Sequence, residues 1–235
     1  MFVIGITGGI GCGKSTAASV CKKAGLPVID ADDLSRKATA ADGAAIPEIK
    51  ETFGTSVIDQ DGSLNRTAMA KRVFNDHRAL DQLSHIIHSH VLRVMREQVD
   101  ALREKKAKAV VLDVPIPVRE GFVDLCDQIW VVWASEENRL SRLSERGMTE
   151  EEARRRMAMQ MTKDEYVALA DHVIENDHSL SAFEQTVRAL MEQELGQRGI
   201  RFKKETPSLE ETASGDETVM SDDTSGQQDK QINQA

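Results

Sequence analysis

The segment Gly8-Gly9-Ile10-Gly11-Cys12-Gly13-Lys14-Ser15-Thr16 places three kinds of phosphate chemistry within nine residues. Its glycines let consecutive backbone N–H groups turn toward an anion, Lys14 supplies a mobile positive charge, and the Ser15 hydroxyl is a hard oxygen ligand for a divalent cation. The pattern is G-x-x-x-x-G-K-[ST], and it predicts a nucleoside-triphosphate site with Mg²⁺ when a strand precedes it and a helix follows. The residues that would touch the nucleotide are Gly8, Gly9, Gly11, Cys12, Gly13, Lys14, Ser15 and Thr16. A redox role for Cys12 is the weaker reading, since the turn asks only for a small residue there. Two further acidic positions belong to the same chemistry. Asp30-Ala31-Asp32-Asp33 ends a second apolar run and Asp113 ends a third. A carboxylate at such a strand end faces the ligand crevice of a parallel sheet, where it can take the proton of an attacking hydroxyl or hold Mg²⁺. The competing reading is a helix cap, for Asp33 first and Asp30 second, of a helix beginning near Leu34.

The elements that must position these groups are legible as apolar runs. Residues 2–6, 26–29, 109–112, 129–134 and, more weakly, 172–174 are apolar without alternation, as strands buried on both faces of a parallel sheet are. Helical patterns lie between them. One covers residues 16–24 and is closed by Gly25 and Pro27; another runs from about 66 to 106. Repeated strand–helix–strand order predicts an α/β fold with right-handed crossovers. Two insertions interrupt it, at about 34–105 and 136–166. The second is rich in arginine (Arg139, Arg142, Arg146, Arg154, Arg155, Arg156), and the last three read as a solvated helix with intrahelical ion pairs.

Of 235 residues, 40% are hydrophobic and 29% charged, ordinary for a globular chain, while 4% aromatic content argues against a base-stacking nucleic-acid reader. The net charge of −9 is unevenly placed. Residues 205–235 hold eight acids and one base, so residues 1–204 carry only −2. Any anion must therefore be caught by local geometry and not by a basic surface. Residues 201–235 are poor in apolar side chains and are expected to form a disordered acidic tail beyond a domain of about 1–200. Three scattered cysteines predict neither a disulfide framework nor a zinc site. His85, His88 and His90 lack an accompanying acid or cysteine set, so they are not read as a metal cluster. No run approaches the ~20 apolar residues of a membrane span. The expectation is a cytoplasmic monomer acting on a small molecule, with no nucleic-acid or membrane partner.

Seven motifs in order extend the reading. These are Thr7 to Thr16; Ile29-Asp30-Ala31-Asp32; Asp61-Gly62-Ser63-Leu64-Asn65-Arg66; Ile86-Ile87-His88; Asp113-Val114-Pro115; Arg142-Leu143 with Arg146-Gly147; and Ala170-Asp171-His172-Val173-Ile174-Glu175-Asn176. Together they closely resemble the dephospho-CoA kinase family over about residues 1–195. The resemblance implies a P-loop kinase fold with a five-stranded parallel sheet, a helical substrate-binding subdomain and a mobile lid. It also implies the last step of coenzyme A synthesis, transfer of the ATP γ-phosphate to the ribose 3′-hydroxyl of dephospho-CoA.

By the same resemblance Asp32 is the general base or hydroxyl-orienting group, and Lys14 holds ATP. Ser15 and Asp113 hold Mg²⁺, with Asp113 also beside the substrate. Arg142 and Arg146 belong to the lid, Arg66 and His88 to the acceptor site, and Asn176 lies near the adenine. The alternatives are a local pairing role for Arg66, a hydrogen-bonded core role for His88 and a strand-end turn for Asn176. Ile116-Pro117-Val118-Arg119-Glu120, and Ser89 after His88, depart from the family pattern. Two other functions remain: another small-molecule kinase of the same fold, and a nucleotide switch, which would need an N-K-x-D motif that the chain lacks.

Overall fold

A computed structural model of the chain describes residues 1–74, 76–115 and 121–203. The five apolar runs form β1 (Phe2–Thr7), β2 (Val28–Asp30), β3 (Ala109–Asp113), β4 (Gln128–Trp133) and β5 (His172–Glu175). All pair in parallel, in the order β2-β3-β1-β4-β5. Chain order reverses direction at β1, so the loop leaving β1 opens into the crevice where such sheets bind ligands.

Each face of the sheet is covered. Phe2, Ile4 and Ile6 of β1 point to one side. There they meet Ala17, Val20 and Cys21 of α1 (Lys14–Lys23) and Phe183, Val187, Met191 and Leu195 of α9 (Leu180–Gln197). Val3, Val110 and Leu112 point to the other, against Val91, Met95 and Val99 of α5 (His77–Glu104) and Phe122. This two-residue alternation within each strand divides the core into two layers.

A helical lobe is built on the second face. Its own core joins Ala38 of α2 (Ala31–Ala38), Ile49 of α3 (Ile46–Phe53), Met69 of α4 (Arg66–Val73) and Ile86 of α5. Helix α5 has 28 residues, so one end packs in the lobe while Val91, Met95 and Val99 pack under the sheet. After β4 come α6 (Glu136–Glu145), α7 (Glu150–Ala158) and α8 (Lys163–Val167), the stretch read as a lid.

Several boundaries differ from the sequence reading, three of them for a clear local reason. The second strand begins at Val28 and not at residue 26, because the C-terminal turn of α1 claims Leu26. Gly25 adopts φ 87°, its N–H reaches the Lys22 carbonyl at 2.9 Å, and the Leu26 N–H reaches Cys21 at 3.1 Å, the two bonds of a Schellman stop. The helical pattern at 66–106 is two helices, with Asp76 capping the second through the Ala79 N–H at 3.0 Å. Helix α2 starts at Ala31 and not near Leu34. Its cap is Asp30, while Asp33 turns down the helix to pair with Lys37 at 2.7 Å. The departures at 116–120, and the tail at 204–235 expected to be disordered, lie outside the described residues.

Candidate active site

Helix α1 begins directly from the glycine loop, two residues before the expected start. Gly13 precedes it at φ 98°, no side chain caps it, and no acid occupies its first turn. Its free N–H groups and positive dipole end therefore face the loop, the arrangement an anion needs. Gly13 admits no side chain, because a Cβ would fall 2.2 Å from Nδ2 of Asn176.

The outward carbonyls of the loop are tied to side chains that come from far away in sequence. Asn176 Nδ2 donates to the Cys12 carbonyl at 2.8 Å, Arg142 Nη1 to Gly11 at 3.3 Å, and Arg139 Nε to Ile10 at 2.9 Å. The Ile10 N–H donates to Oε1 of Gln160 at 2.8 Å. The Cys12 side chain is fully buried, and burial pushes its thiol upward, away from the reactive thiolate, so its part in the loop is played by backbone.

Lys14 Nζ pairs with Oδ1 of Asp113, at the end of the neighbouring strand β3. Burial is the chief cause that raises the Asp113 carboxyl above its ordinary range. Lys14 opposes that rise, and the charges of Asp30 and Asp32 add to it. Asp30 is engaged as the cap of α2, its Oδ1 accepting from the N–H of Asp32 at 2.8 Å and of Asp33 at 3.2 Å. That leaves Asp32, exposed on the first turn of α2, as the acid available to a substrate.

Asp32 lines a cavity of about 220 Å³ between α2, α5 and the end of β3, together with Ser35, His88, Val91, Met95 and Phe122. The structure thus brings Asp32 and His88 to one pocket. Burial at the cavity, and secondarily the charge of His85, hold the His88 imidazole below its ordinary range. Arg66 is not among the residues lining this cavity; it is exposed at the start of α4 and donates from Nη2 to Thr39 Oγ1 at 3.2 Å.

A second hollow of about 310 Å³ opens on the other side of the loop, lined by Gly13, Thr16, Arg142, Arg146, Asn176 and Leu180 among others. Arg142 is held against it by the Asn176 carbonyl, at 2.7 Å from Nη2. Arg146 caps the C-terminal end of α6 on the same hollow. Farther along, Arg154 and Arg156 make the intrahelical pairs expected of them, with Glu150 at 2.9 Å and Glu152 at 2.6 Å, and Arg154 also reaches Glu136 of α6.

Two loop-binding side chains escaped the sequence reading. Arg139 was one of six arginines in a charged segment, yet it is buried, with its guanidinium 4.9 Å above the Trp133 ring. Gln160 carried no signal at all.

A uridine, shikimate or dephospho-CoA kinase would share the phosphate loop, so the match along the whole chain decides between them. The family model described as Dephospho-CoA kinase matches residues 2–182. A dephospho-CoA kinase of Shouchella clausii is 38% identical over 175 residues, 74% of this chain and 89% of that protein. The chain belongs to the dephospho-CoA kinase family.

Solved structures share the fold. The crystal structure of TT1252 from Thermus thermophilus superposes with a TM-score of 0.68 at 34% identity, covering 82% of this chain and 97% of that one. Dephospho-CoA kinase from Campylobacter jejuni gives 0.63 at 25% identity, covering 83% and 98%. Membership in this kinase family brings ATP use with it.

The donor set fits Mg²⁺ better than a protein-caged metal. Among the described residues no group of three or more His, Cys, Asp or Glu side chains is arranged to hold an ion. Mg²⁺ bound with nucleotide phosphates needs only one or two protein oxygens, and the exposed Ser15 hydroxyl and the Asp113 carboxylate are hard donors at the loop.

Proposed function

We propose that this chain transfers the γ-phosphoryl group of ATP to the 3′-hydroxyl on the ribose of dephospho-CoA, giving CoA and ADP. One juxtaposition carries the reading. Asp32 lines the acceptor cavity, and its charge acts on Asp113, the carboxylate that holds Lys14 of the phosphate loop.

In this reading Asp32 takes the proton of the acceptor hydroxyl while that oxygen bonds to the γ-phosphorus. The bond from phosphorus to the bridging oxygen breaks, and its electron pair leaves with ADP. Lys14 and the N–H groups at the start of α1 hold the phosphates and offset charge as it develops. Arg142 and Arg146 add positive charge on the nucleotide side, and the hollow they line with Asn176 receives the base. Val91, Met95 and Phe122 offer an apolar wall to the pantetheine arm, with His88 at its edge. Ser15 and Asp113 would hold Mg²⁺, which when bound neutralises phosphate oxygens. The organisation proposed is a kinase domain over about residues 1–200, with the 34–105 insertion serving the acceptor and 136–166 serving as lid. The compartment proposed is the cytoplasm and the state a monomer. Cys12, Cys21 and Cys126 are free thiols, which supports a reducing compartment, and no described helix is long and apolar enough to cross a membrane.

The test separates chemistry from binding. Asp32→Asn is expected to lower kcat by about 10²–10⁴, the usual worth of a positioned base, with ADP affinity within a few-fold. Lys14→Ala is expected to weaken both. Loss of ADP binding in the Asp32 variant, or near-normal turnover in either, would refute the assignments.

A further inference from the structure

The tip of the phosphate loop is held from outside by the arm that follows β4. Two successive peptide groups are gripped on either side of the Ile10 Cα. The Ile10 N–H donates to Gln160 Oε1 at 2.8 Å, and the Ile10 carbonyl accepts from Arg139 Nε at 2.9 Å. The two side chains also meet each other, Arg139 Nη2 standing 3.5 Å from the same Oε1. Because each peptide is a rigid plane, fixing both planes sets φ and ψ at Ile10 and so the direction in which Gly11 to Gly13 enter the cradle.

Neither gripping residue is loosely placed. Arg139 is 7% exposed and stacked over Trp133. Gln160 sits in the turn between α7 and α8, its N–H on the Met157 carbonyl at 3.1 Å, just before the Thr162–Glu165 capping box that starts α8. A second observation points the same way. A Cβ at Gly9 would lie 2.9 Å from Arg139 Nη2 and 3.3 Å from Gln160 Oε1, and one at Gly11 would lie 3.1 Å from the Arg139 carbonyl. The arm thus crowds the small residues of the loop tip from outside.

We propose that Gln160 is a positioning residue that acts through Ile10 to tie nucleotide affinity to the seating of the α6–α8 arm. With the arm seated, the loop is shaped for phosphate. Bound nucleotide in turn favours the seated arm, because coupling between two equilibria is reciprocal. The inference rests on the loop as the nucleotide site and does not depend on which acceptor is used.

The test is calorimetric titration of the full chain with ADP in the presence of Mg²⁺. Gln160→Leu has similar volume and no acceptor, and it is expected to raise the ADP dissociation constant about tenfold, what one hydrogen bond of typical net strength gives. Gln160→Glu keeps an acceptor oxygen for Ile10 and is expected to stay within about threefold of the parent chain. Bound ADP should slow trypsin cleavage at the exposed Arg154, Arg155 and Arg156 of α7 in the parent, and this protection should be lost in Gln160→Leu. If the leucine variant does not fold, Gln160→Asn, polar but one methylene too short, carries the same expectation.

Parent-like ADP binding in the leucine or asparagine variant would overturn the proposal, even with a lowered melting temperature. So would equal weakening in the glutamate and leucine variants. A parent chain that binds ADP but does not phosphorylate dephospho-CoA would refute the kinase assignment and leave this comparison decisive. A parent that binds no ADP would overturn both.

Discussion

Replacing Asn176 with alanine removes the side chain that joins β5 to the phosphate loop. Its Nδ2 donates to the Cys12 carbonyl at 2.8 Å, its Oδ1 accepts from Arg142 at 3.3 Å, and the residue is 6% exposed. The alanine variant leaves a buried carbonyl without this donor and takes one acceptor from Arg142. An unsatisfied buried polar group costs about 1–3 kcal/mol. For a domain of this size each kcal/mol lowers Tm by roughly 2–4 °C, so the melting temperature should fall by about 2–12 °C. The loss should also reach function, because Cys12 and Gly13 lead directly into the uncapped start of α1. The KM for ATP should rise several-fold while the KM for the acceptor, which we assign to the cavity beside Asp32, changes little. Scanning calorimetry and steady-state kinetics on one preparation measure both. A lowered Tm with an unchanged KM for ATP would reduce Asn176 to packing, and no change in either would refute the reasoning.

Gly5→Ala would set a Cβ 2.7 Å from both Cys126 Sγ and Phe122 Cζ; overpacking of this kind typically costs about 1–3 kcal/mol, and since Phe122 lines the cavity proposed for the acceptor, the KM for dephospho-CoA should rise more than that for ATP. His88 provides a pH test: its folded-state pKa is depressed, so its contribution to stability is present above the unfolded value of about 6.5 and is lost as pH falls below it. The Tm of the parent should therefore fall slightly more steeply than that of His88→Gln between pH 7 and 5, and parallel curves would count against the shift. Burial pushes the Cys21 thiol up to about 12 and raises Cys12 as well, so both should resist iodoacetamide in the native protein and react on unfolding; rapid native alkylation of either would contradict their placement.

The sheet and the phosphate loop were legible because their causes are local: continuous apolar runs, and glycines beside a lysine and a serine. The errors arose where a residue had two possible local partners. Leu26 reads as strand until its N–H is seen to close α1, and three acids within four residues do not reveal that Asp30 caps α2 while Asp33 pairs down the helix. The resemblance named Asp32 and His88 together, but the cavity they line depends also on Val91, Met95 and Phe122, which lie in no motif. Arg139 and Gln160 were not legible at all. Their partners are backbone groups 129 and 150 residues away, and a backbone group has no signature in the sequence.

The most direct test of the central claim is a coupled ADP-release assay with ATP and dephospho-CoA, the product identified by mass. Stoichiometric ADP and CoA are expected, the CoA one phosphoryl group heavier than the acceptor, with little release when shikimate or a nucleoside replaces dephospho-CoA. ADP release with one of those acceptors, and none with dephospho-CoA, would contradict that claim.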